Sequence, residues 1–269
     1  MAISNLPVTS REYKLMLNVG RFEDRKKGTA GFLKLVEFLL DKEGAKIVPE
    51  KEPKKKERIT SYLDTPELAL RQKGFSLRLR DESGSGDGFQ LNLKYRASDR
   101  YISAAQDLSK NGEGEIKFEE DVVPPFVSKF SHSATIESEN NIRPTTMAAA
   151  TALFPGLALL DIDAKTKIDT IKKFEAVEIV KRLCKFQFGN TREVKANLSF
   201  WYLPGNEESW PLVVEFSFAY ETKAAKTELE TYPIELVEGA NRLFNSLQNQ
   251  SGWVDLNGTT KTAFALEAL

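Results

Sequence analysis

The chain of 269 residues is poor in the residues that build covalent and metal cross-links: it contains one cysteine, Cys184, and one histidine, His132. A single cysteine cannot form an internal disulfide, which favours a reducing compartment, and we expect a cytoplasmic protein. The same scarcity excludes a zinc site built from the cysteines and histidines of one chain. Nucleophilic catalysis through a histidine would depend on His132 alone, and no acid stands at a recognisable spacing to orient it.

The chain also lacks an excess of charge of one sign and a long apolar run. Its 38 Lys and Arg residues balance 39 Asp and Glu residues, which leaves a formal net charge of −1. This balance gives no general attraction to nucleic acid or to an anionic membrane. No stretch approaches the roughly 18 apolar residues of a membrane-spanning helix, and the first residues show no secretory signal pattern. We therefore expect neither a nucleic-acid partner nor a membrane partner, and the sequence does not indicate an oligomeric state.

The composition is that of a globular protein, with 41% hydrophobic and 29% charged residues. This apolar content, together with the low net charge, excludes disorder as the main state. No internal repeat or long linker interrupts the chain, so we expect one domain that spans residues 1–269. Apolar residues at helical spacing, with turn residues at the ends, predict helices at residues 29–42, 66–72, 145–153 and 234–247.

Most of the remaining chain alternates between apolar and polar residues, which is typical of β-strands with two different faces. The alternation predicts strands at residues 12–19, 76–82, 89–96, 115–122, 194–202 and 213–220, and a further strand around Lys261. His132 is predicted to lie in a loop or at a helix end, and Cys184 is predicted to be a small buried residue on a strand.

The polar faces of these strands carry like charges two residues apart. The pairs are Arg78 with Arg80, Lys94 with Arg96, and Glu119 with Asp121. Like charges at this density repel one another in a sheet, and bound polyanions and divalent metals would relieve that repulsion. Two arrangements fit the pattern: an antiparallel sheet with one solvated face, or a barrel whose polar face points inward and whose apolar face is covered by helices.

Residues 59–80 read ITSYLDTPELALRQKGFSLRLR. The order Tyr-x-Asp-Thr-Pro, short helix, Gly and Leu-Arg-x-Arg resembles the CYTH superfamily, the triphosphate tunnel metalloenzymes. Further matches follow in order along the chain at Leu93-Lys94, Lys117, Glu119, Asp121, Glu215 and Thr260-Lys261. The resemblance extends over nearly the whole chain. It implies an α+β fold in which about eight antiparallel strands form a tunnel barrel with a charged interior and helices packed outside.

The resemblance also implies a function, the hydrolysis of a triphosphate-containing substrate such as inorganic tripolyphosphate, a nucleoside triphosphate or thiamine triphosphate, with Mg²⁺ or Mn²⁺. Arginine grips phosphate oxygens in a bidentate fashion, and carboxylate oxygens suit hard divalent cations. The implied substrate-binding residues are Arg78, Arg80, Lys94, Lys117, Arg182 and Lys261, and we add Lys14 of the first strand to them. The implied metal ligands are Glu12, Glu119, Asp121 and Glu215, among which Glu119 and Asp121 are the implied catalytic residues.

Two strands depart from the family pattern. The first strand reads Glu12-x-Lys14-x-Met16 where the family has Glu-x-Glu-x-Lys, and Ser217 stands at the second acidic position of the late strand. The loss of two acids and the gain of a base favour an alternative function, a non-catalytic module that binds polyphosphate or another polyanion. A third hypothesis is an adenylate cyclase, which the family also contains and which requires an adenine pocket.

Overall fold

The computed structural model describes residues 6–49, 54–82, 87–221 and 232–267. Its strands are β1 Ser10–Met16, β2 Ala45–Val48, β3 Lys55–Asp64, β4 Phe75–Asp81, β5 Phe89–Ala97, β6 Ile116–Val123, β7 Val127–Ser138, β8 Asp169–Phe188, β9 Val194–Tyr202 and β10 Val213–Glu221. Its α-helices are α1 Arg25–Lys42, α2 Ala69–Gln72, α3 Arg100–Ala104, α4 Met147–Leu153, α5 Ile234–Gln248 and α6 Lys261–Glu267.

Nine of the strands form a closed barrel. They follow one another in the order β8-β3-β4-β5-β7-β6-β1-β10-β9, and β9 pairs with β8 to close the ring, while β2 pairs with β8. Neighbouring strands are antiparallel except β1 and β6, which run parallel. The prediction of about eight antiparallel strands is therefore corrected to nine strands in a mixed barrel. A closed ring with an odd number of strands cannot alternate direction throughout, so at least one pair must be parallel.

Helices cover the apolar outer face of this barrel. The stripe of Phe32, Val36 and Leu40 on α1 and the stripe of α5 pack on outward side chains of β1, β8, β9 and β10 in one core cluster. Helices α2 and α4 contribute to a second cluster over β4, β5 and β7. Helix α1 begins at Arg25 because the side chain of Asp24 accepts a hydrogen bond from the Lys27 backbone N–H. Among the described residues, no helix is long and apolar enough to cross a membrane.

The alternation along β1 shows which of the two predicted arrangements is correct. Tyr13 and Leu15 are fully buried in the outer core, whereas Glu12 and Lys14 line an interior cavity. The polar face of the sheet therefore points into the barrel, where neighbouring charges are brought together rather than dispersed in solvent.

Two local predictions are wrong. The segment after Thr260 is helix α6 instead of a strand, because the Thr260 hydroxyl accepts a hydrogen bond from the Ala263 N–H and caps the helix. His132 lies on β7 between β5 and β6 instead of in a loop, and its ring packs edge-on against Phe118. Cys184 is buried on β8, as predicted.

One end of the barrel interior is filled with apolar side chains. Met16, Tyr62 and Trp201 belong to a cluster that also includes Ala265 of α6, and the Tyr62 and Thr262 hydroxyls lie 3.0 Å apart. Helix α6 thus packs against β3 and β8 at this end and brings Lys261, its first residue, into the interior.

Candidate functional site

The barrel encloses a charged cavity of about 360 Å³. Inward positions of the strands supply most of its lining, since alternate residues of a strand face the same side. The basic side chains that line it are Lys14, Arg58, Arg78, Arg80, Lys94, Arg96, Lys117 and Lys261. The acidic ones are Glu12, Glu115, Glu119, Glu137, Glu178 and Glu215.

The inward side chains of β3, β4 and β5 form a basic wall, defined here as Arg58, Arg78, Arg80, Lys94 and Arg96. Arg78 has no acidic partner within the described part of the chain. The buried Nε atoms of Arg78 and Arg80 have no hydrogen-bond acceptor there either. Burial, reinforced by the charges of Arg78 and Arg58, lowers the pKa of Arg80 to about 9. Buried donors and adjacent like charges of this kind are stabilised when an anion binds between them.

The inward side chains of β6, β1, β10 and β8 form an acidic wall, defined here as Glu119, Asp121, Glu12, Glu215 and Glu178. This wall and the basic wall lie across the same cavity.

Asp121 is the first buried carboxylate centre. Its Oδ1 lies 2.7 Å from Lys14 Nζ, and its Oδ2 accepts hydrogen bonds from Arg96 and from Ser131 Oγ. Lys14 Nζ also lies 2.9 Å from Glu12 Oε2. Burial alone would raise the pKa of Asp121, but the charges of Lys14, Arg96 and Lys94 outweigh it and hold that pKa below its usual range. Asp121 is therefore an ionised group whose oxygens are already used by cations and a hydroxyl.

Glu178 is the second buried carboxylate centre. Its Oε2 lies 2.7 Å from Arg58 Nε and 3.3 Å from a terminal nitrogen of Arg80, and its Oε1 lies 2.9 Å from Lys261 Nζ. Ser199 Oγ donates a further hydrogen bond to Oε1 at 2.8 Å. Burial opposes ionisation, yet Lys261, Arg58 and Arg80 together keep the pKa of Glu178 well below its usual value. Glu178 thus holds two arginines of the basic wall and the lysine of α6 in place.

Glu119 and Lys94 connect the two walls more loosely. Lys94 Nζ lies 3.7 Å from Glu119 Oε2, and Ser10 Oγ donates to Glu119 Oε1 at 2.8 Å. Burial, reinforced by Arg96 and Lys14 and only partly offset by Asp121, lowers the pKa of Lys94 to about 8. Lys94 is therefore a cation that an additional anion would stabilise.

The structure brings most of the predicted site residues together. Those that line the cavity are Glu12, Lys14, Arg78, Arg80, Lys94, Lys117, Glu119, Glu215 and Lys261. Asp121 lies immediately behind Lys14. Arg182 does not line the cavity. Its Nε donates a hydrogen bond to Oδ1 of Asn197, and Asn197 does line the cavity. Met16, at the position where the family pattern has lysine, packs in the apolar cluster, so the ammonium of the first strand comes from Lys14.

Sequence reasoning missed Arg58, Arg96 and Glu178 as site residues. Arg96 had a signal, since it shares a strand face with Lys94. Glu178 also had one, because it lies four residues before the predicted site residue Arg182 on β8 and strand alternation places the two on the same face. Arg58 had none that distinguishes it from the other charges of its basic segment, because its role depends on its contact with Glu178.

The acidic wall does not form a divalent-metal site. Its carboxylate oxygens have the chemistry that Mg²⁺ and Mn²⁺ prefer. Within the described ranges, however, no three Asp, Glu, His or Cys residues are placed to hold one ion. Glu12 and Asp121 contact Lys14, and Glu178 and Glu215 contact Lys261. The residues present therefore do not fit the metal that the family resemblance implies.

The chain is similar to several solved structures. A candidate adenylyl cyclase from Hippeastrum, described as revealing a dominant triphosphatase activity, matches with a TM-score of 0.50 and 13% identity over 96% of this chain and 95% of its own. A candidate adenylate cyclase from Bacillus halodurans matches with a TM-score of 0.43 and 12% identity over 97% and 98%. The mimivirus capping-enzyme triphosphatase matches with a TM-score of 0.35 and 9% identity over 91% and 90%.

No protein-family model and no curated protein sequence matches the chain. The Hippeastrum structure and the closed barrel confirm the predicted fold: the chain has the architecture of the triphosphate tunnel proteins.

Proposed function

We propose that the tunnel binds the triphosphate group of a small molecule, such as inorganic tripolyphosphate, a nucleoside triphosphate or thiamine triphosphate. The observation that carries the proposal is Arg78, a basic-wall arginine for which the described residues supply no acidic partner. Arg80 lies beside it with a lowered pKa. A phosphate chain offers several charged oxygens in a row, and guanidinium groups bind such oxygens in a bidentate fashion. The anion would relieve the repulsion within the basic wall.

In this proposal the two walls contribute differently to binding. Arg78, Arg80 and Lys94 hold phosphate oxygens from the basic wall, and Lys14 donates to them from the opposite side. Lys117 acts as a peripheral point charge, since its ammonium already contacts the exposed Glu115 at 2.7 Å. In the same proposal Arg182, which lies outside the cavity lining, would act through Asn197, and Lys261 of α6 would act by holding Glu178 and Glu215.

Hydrolysis of the bound chain is the reaction that we propose. Glu119 is the acid best placed to accept a proton from the attacking water, because its lysine contact is the longest of the acidic wall at 3.7 Å. The water oxygen would bond to a phosphorus atom while the anhydride P–O bond breaks and its electron pair leaves with the bridging oxygen. Asp121 would orient Lys14 and Arg96 for this step. The triphosphatase activity described for the Hippeastrum protein supports this choice of reaction.

Non-catalytic binding of a polyphosphate is the second candidate function. The bridges from Lys14 and Lys261 favour it, because they use carboxylate oxygens that a metal-dependent hydrolase would need free. Mg²⁺ or Mn²⁺ as a cofactor and a cytoplasmic location stay predictions from the sequence.

The experiment is a measurement of phosphate release from tripolyphosphate, ATP and thiamine triphosphate in Mg²⁺, in Mn²⁺ and in EDTA. Glu119→Gln is the test variant, and Glu175→Gln, a half-exposed residue of β8 that pairs with Arg143, is the matched control. Release that is lost only in Glu119→Gln establishes the hydrolase. No release, with tripolyphosphate still raising the melting temperature, leaves the binding function. Absence of both phosphate release and a rise in melting temperature overturns the proposal. Formation of cyclic AMP from ATP would establish the cyclase.

A further inference from the structure

The acidic wall is neutralised from within by two lysines. Lys14 Nζ lies 2.9 Å from Glu12 Oε2 and 2.7 Å from Asp121 Oδ1. Lys261 Nζ lies 2.9 Å from Glu178 Oε1 and 2.8 Å from Glu215 Oε1. Each ammonium thus contacts two carboxylates from different residues, which is how a hard cation is held in an oxygen site.

These two bridges lie mostly buried inside the barrel. The side chains of Asp121, Glu178 and Glu215 are 2%, 1% and 7% exposed, those of Lys14 and Lys261 are 18% and 19% exposed, and that of Glu12 is 30% exposed. A divalent ion that entered either bridge would have to displace the ammonium and leave it beside another cation in a buried place. Separating a buried ion pair in this way is strongly unfavourable. The lysines therefore compete with a metal for the same oxygens.

The ammonium groups of Lys14 and Lys261 differ in the number of N–H donors that remain for a ligand. An ammonium has three N–H donors. Lys261 directs its donors at Glu178, Glu215 and Ser199, whose Oγ lies 3.2 Å away. Lys14 contacts two carboxylates, Glu12 and Asp121, and lines the cavity, so one donor remains for a ligand oxygen.

We propose that Lys14 and Lys261 take the places of divalent cations, so that this tunnel binds a triphosphate chain without Mg²⁺ or Mn²⁺. The inference rests on the proposed function, since it assumes that the ligand is a triphosphate. The chain would lie between the basic wall and the ammonium of Lys14, which neutralise it from both sides. Lys261 would fix Glu178 and Glu215, so that the acidic wall does not repel the ligand.

Calorimetric titration of the full chain with tripolyphosphate, in EDTA and in excess Mg²⁺, tests the proposal. We expect binding in EDTA and an affinity in Mg²⁺ that is equal or weaker, because Mg²⁺ also complexes the free ligand. Binding that requires Mg²⁺, or that becomes tighter by about tenfold or more with it, overturns the inference and leaves the proposed function intact. Absence of binding in both buffers overturns the proposed function itself.

A second measurement follows Mn²⁺ uptake by electron paramagnetic resonance without phosphate ligand. The wild-type chain should leave the signal of free Mn²⁺ unchanged. Lys14→Met, checked for folding by circular dichroism, frees Glu12 Oε2 and Asp121 Oδ1 and should reduce that signal. Lys55→Met is the matched control, since Lys55 contacts the exposed Glu57 at 3.3 Å and neither residue lines the cavity. Mn²⁺ uptake by the wild-type chain, or none by folded Lys14→Met, contradicts the replacement of a cation by Lys14.

Discussion

The basic wall and the acidic wall of the tunnel differ in where their counter-charges come from. Asp121 and Glu178 in the acidic wall receive cations from several strands and from α6, and their charges are balanced within the protein. In the basic wall, Arg78 has no acidic partner in the described part of the chain, and burial lowers the pKa values of Arg80 and Lys94. The protein therefore balances the acidic wall internally and leaves Arg78 of the basic wall without a counter-charge among the described residues.

Removal of the Glu178 carboxylate, which balances the cations around it, should have the largest effect on the stability of the protein. Glu178→Gln leaves Arg58, Arg80 and Lys261 without their shared carboxylate, and loss of one partner of a buried ion pair costs about 3–5 kcal/mol of unfolding free energy. Chemical denaturation measures the loss, with Glu175→Gln as the half-exposed control on the same strand. Tripolyphosphate should restore more stability to Glu178→Gln than to the wild type, because it supplies the missing negative charge. Equal stability of both variants would show that Glu178 does not organise the site.

Arg78→Ala should weaken tripolyphosphate binding and leave the free protein's stability nearly unchanged. A charge-assisted hydrogen bond contributes about 1.5–3 kcal/mol, so we expect a Kd about ten- to a hundredfold higher in calorimetry. Arg78→Lys should recover part of the affinity, since it keeps the charge but not the bidentate geometry. Arg242→Ala, which breaks an exposed contact with Glu43 outside the tunnel, is the control. An unchanged Kd in Arg78→Ala would remove the basic wall from the binding site.

The pH should change the affinity for tripolyphosphate less than Arg78→Ala does, and this change should report the titration of Lys94. The pKa of Lys94 is lowered to about 8, so this cation loses its proton as the pH rises through that value, and the affinity for tripolyphosphate should fall. Lys94→Arg keeps its charge and should flatten the profile between pH 7 and pH 9. Titration of the ligand itself is common to both proteins and cancels in the comparison. Identical profiles would mean that Lys94 does not contact the ligand.

Lys117→Ala should have the smallest effect. Lys117 contacts Glu115, and both side chains are substantially exposed, so this pair contributes about 0–1 kcal/mol. We expect a change in Kd of less than about fivefold at physiological salt. A loss as large as that of Arg78→Ala would place Lys117 among the principal phosphate contacts instead of at the periphery.

The sequence predicted the neighbours within the basic wall better than the contacts that join the acidic wall to its cations. Arg78, Arg80 and Lys94 lie on β4 and β5, which are consecutive along the chain and pair with each other. Their common face follows from local alternation. The pairing of Glu178 with Lys261, and of Asp121 with Lys14, joins segments that are remote in sequence. Alternation states which side a residue faces, but it does not state which distant strand lies opposite.

For the overall fold, too, local features could be predicted from the sequence, whereas the pairing of distant strands could not. The resemblance implied a closed barrel with charged contents, and the four predicted helices are present, whereas the ninth strand and the parallel pair required the actual strand order. Helix α6 was missed because a short segment with alternating small residues resembles a strand until its cap at Thr260 is seen.

The position of β1 between β6 and β10 has a consequence for folding during synthesis. Ser10 pairs with Glu119 on one side and with Glu221 on the other, so β1 completes its pairing only after β10 has been synthesised. Pairings so distant in sequence slow folding, and an unpaired strand edge can join another chain. The nascent polypeptide must therefore keep β1 from aggregating until residue 221 has left the ribosome. Only then can β1 pair with β10 and the barrel close around Glu12 and Lys14.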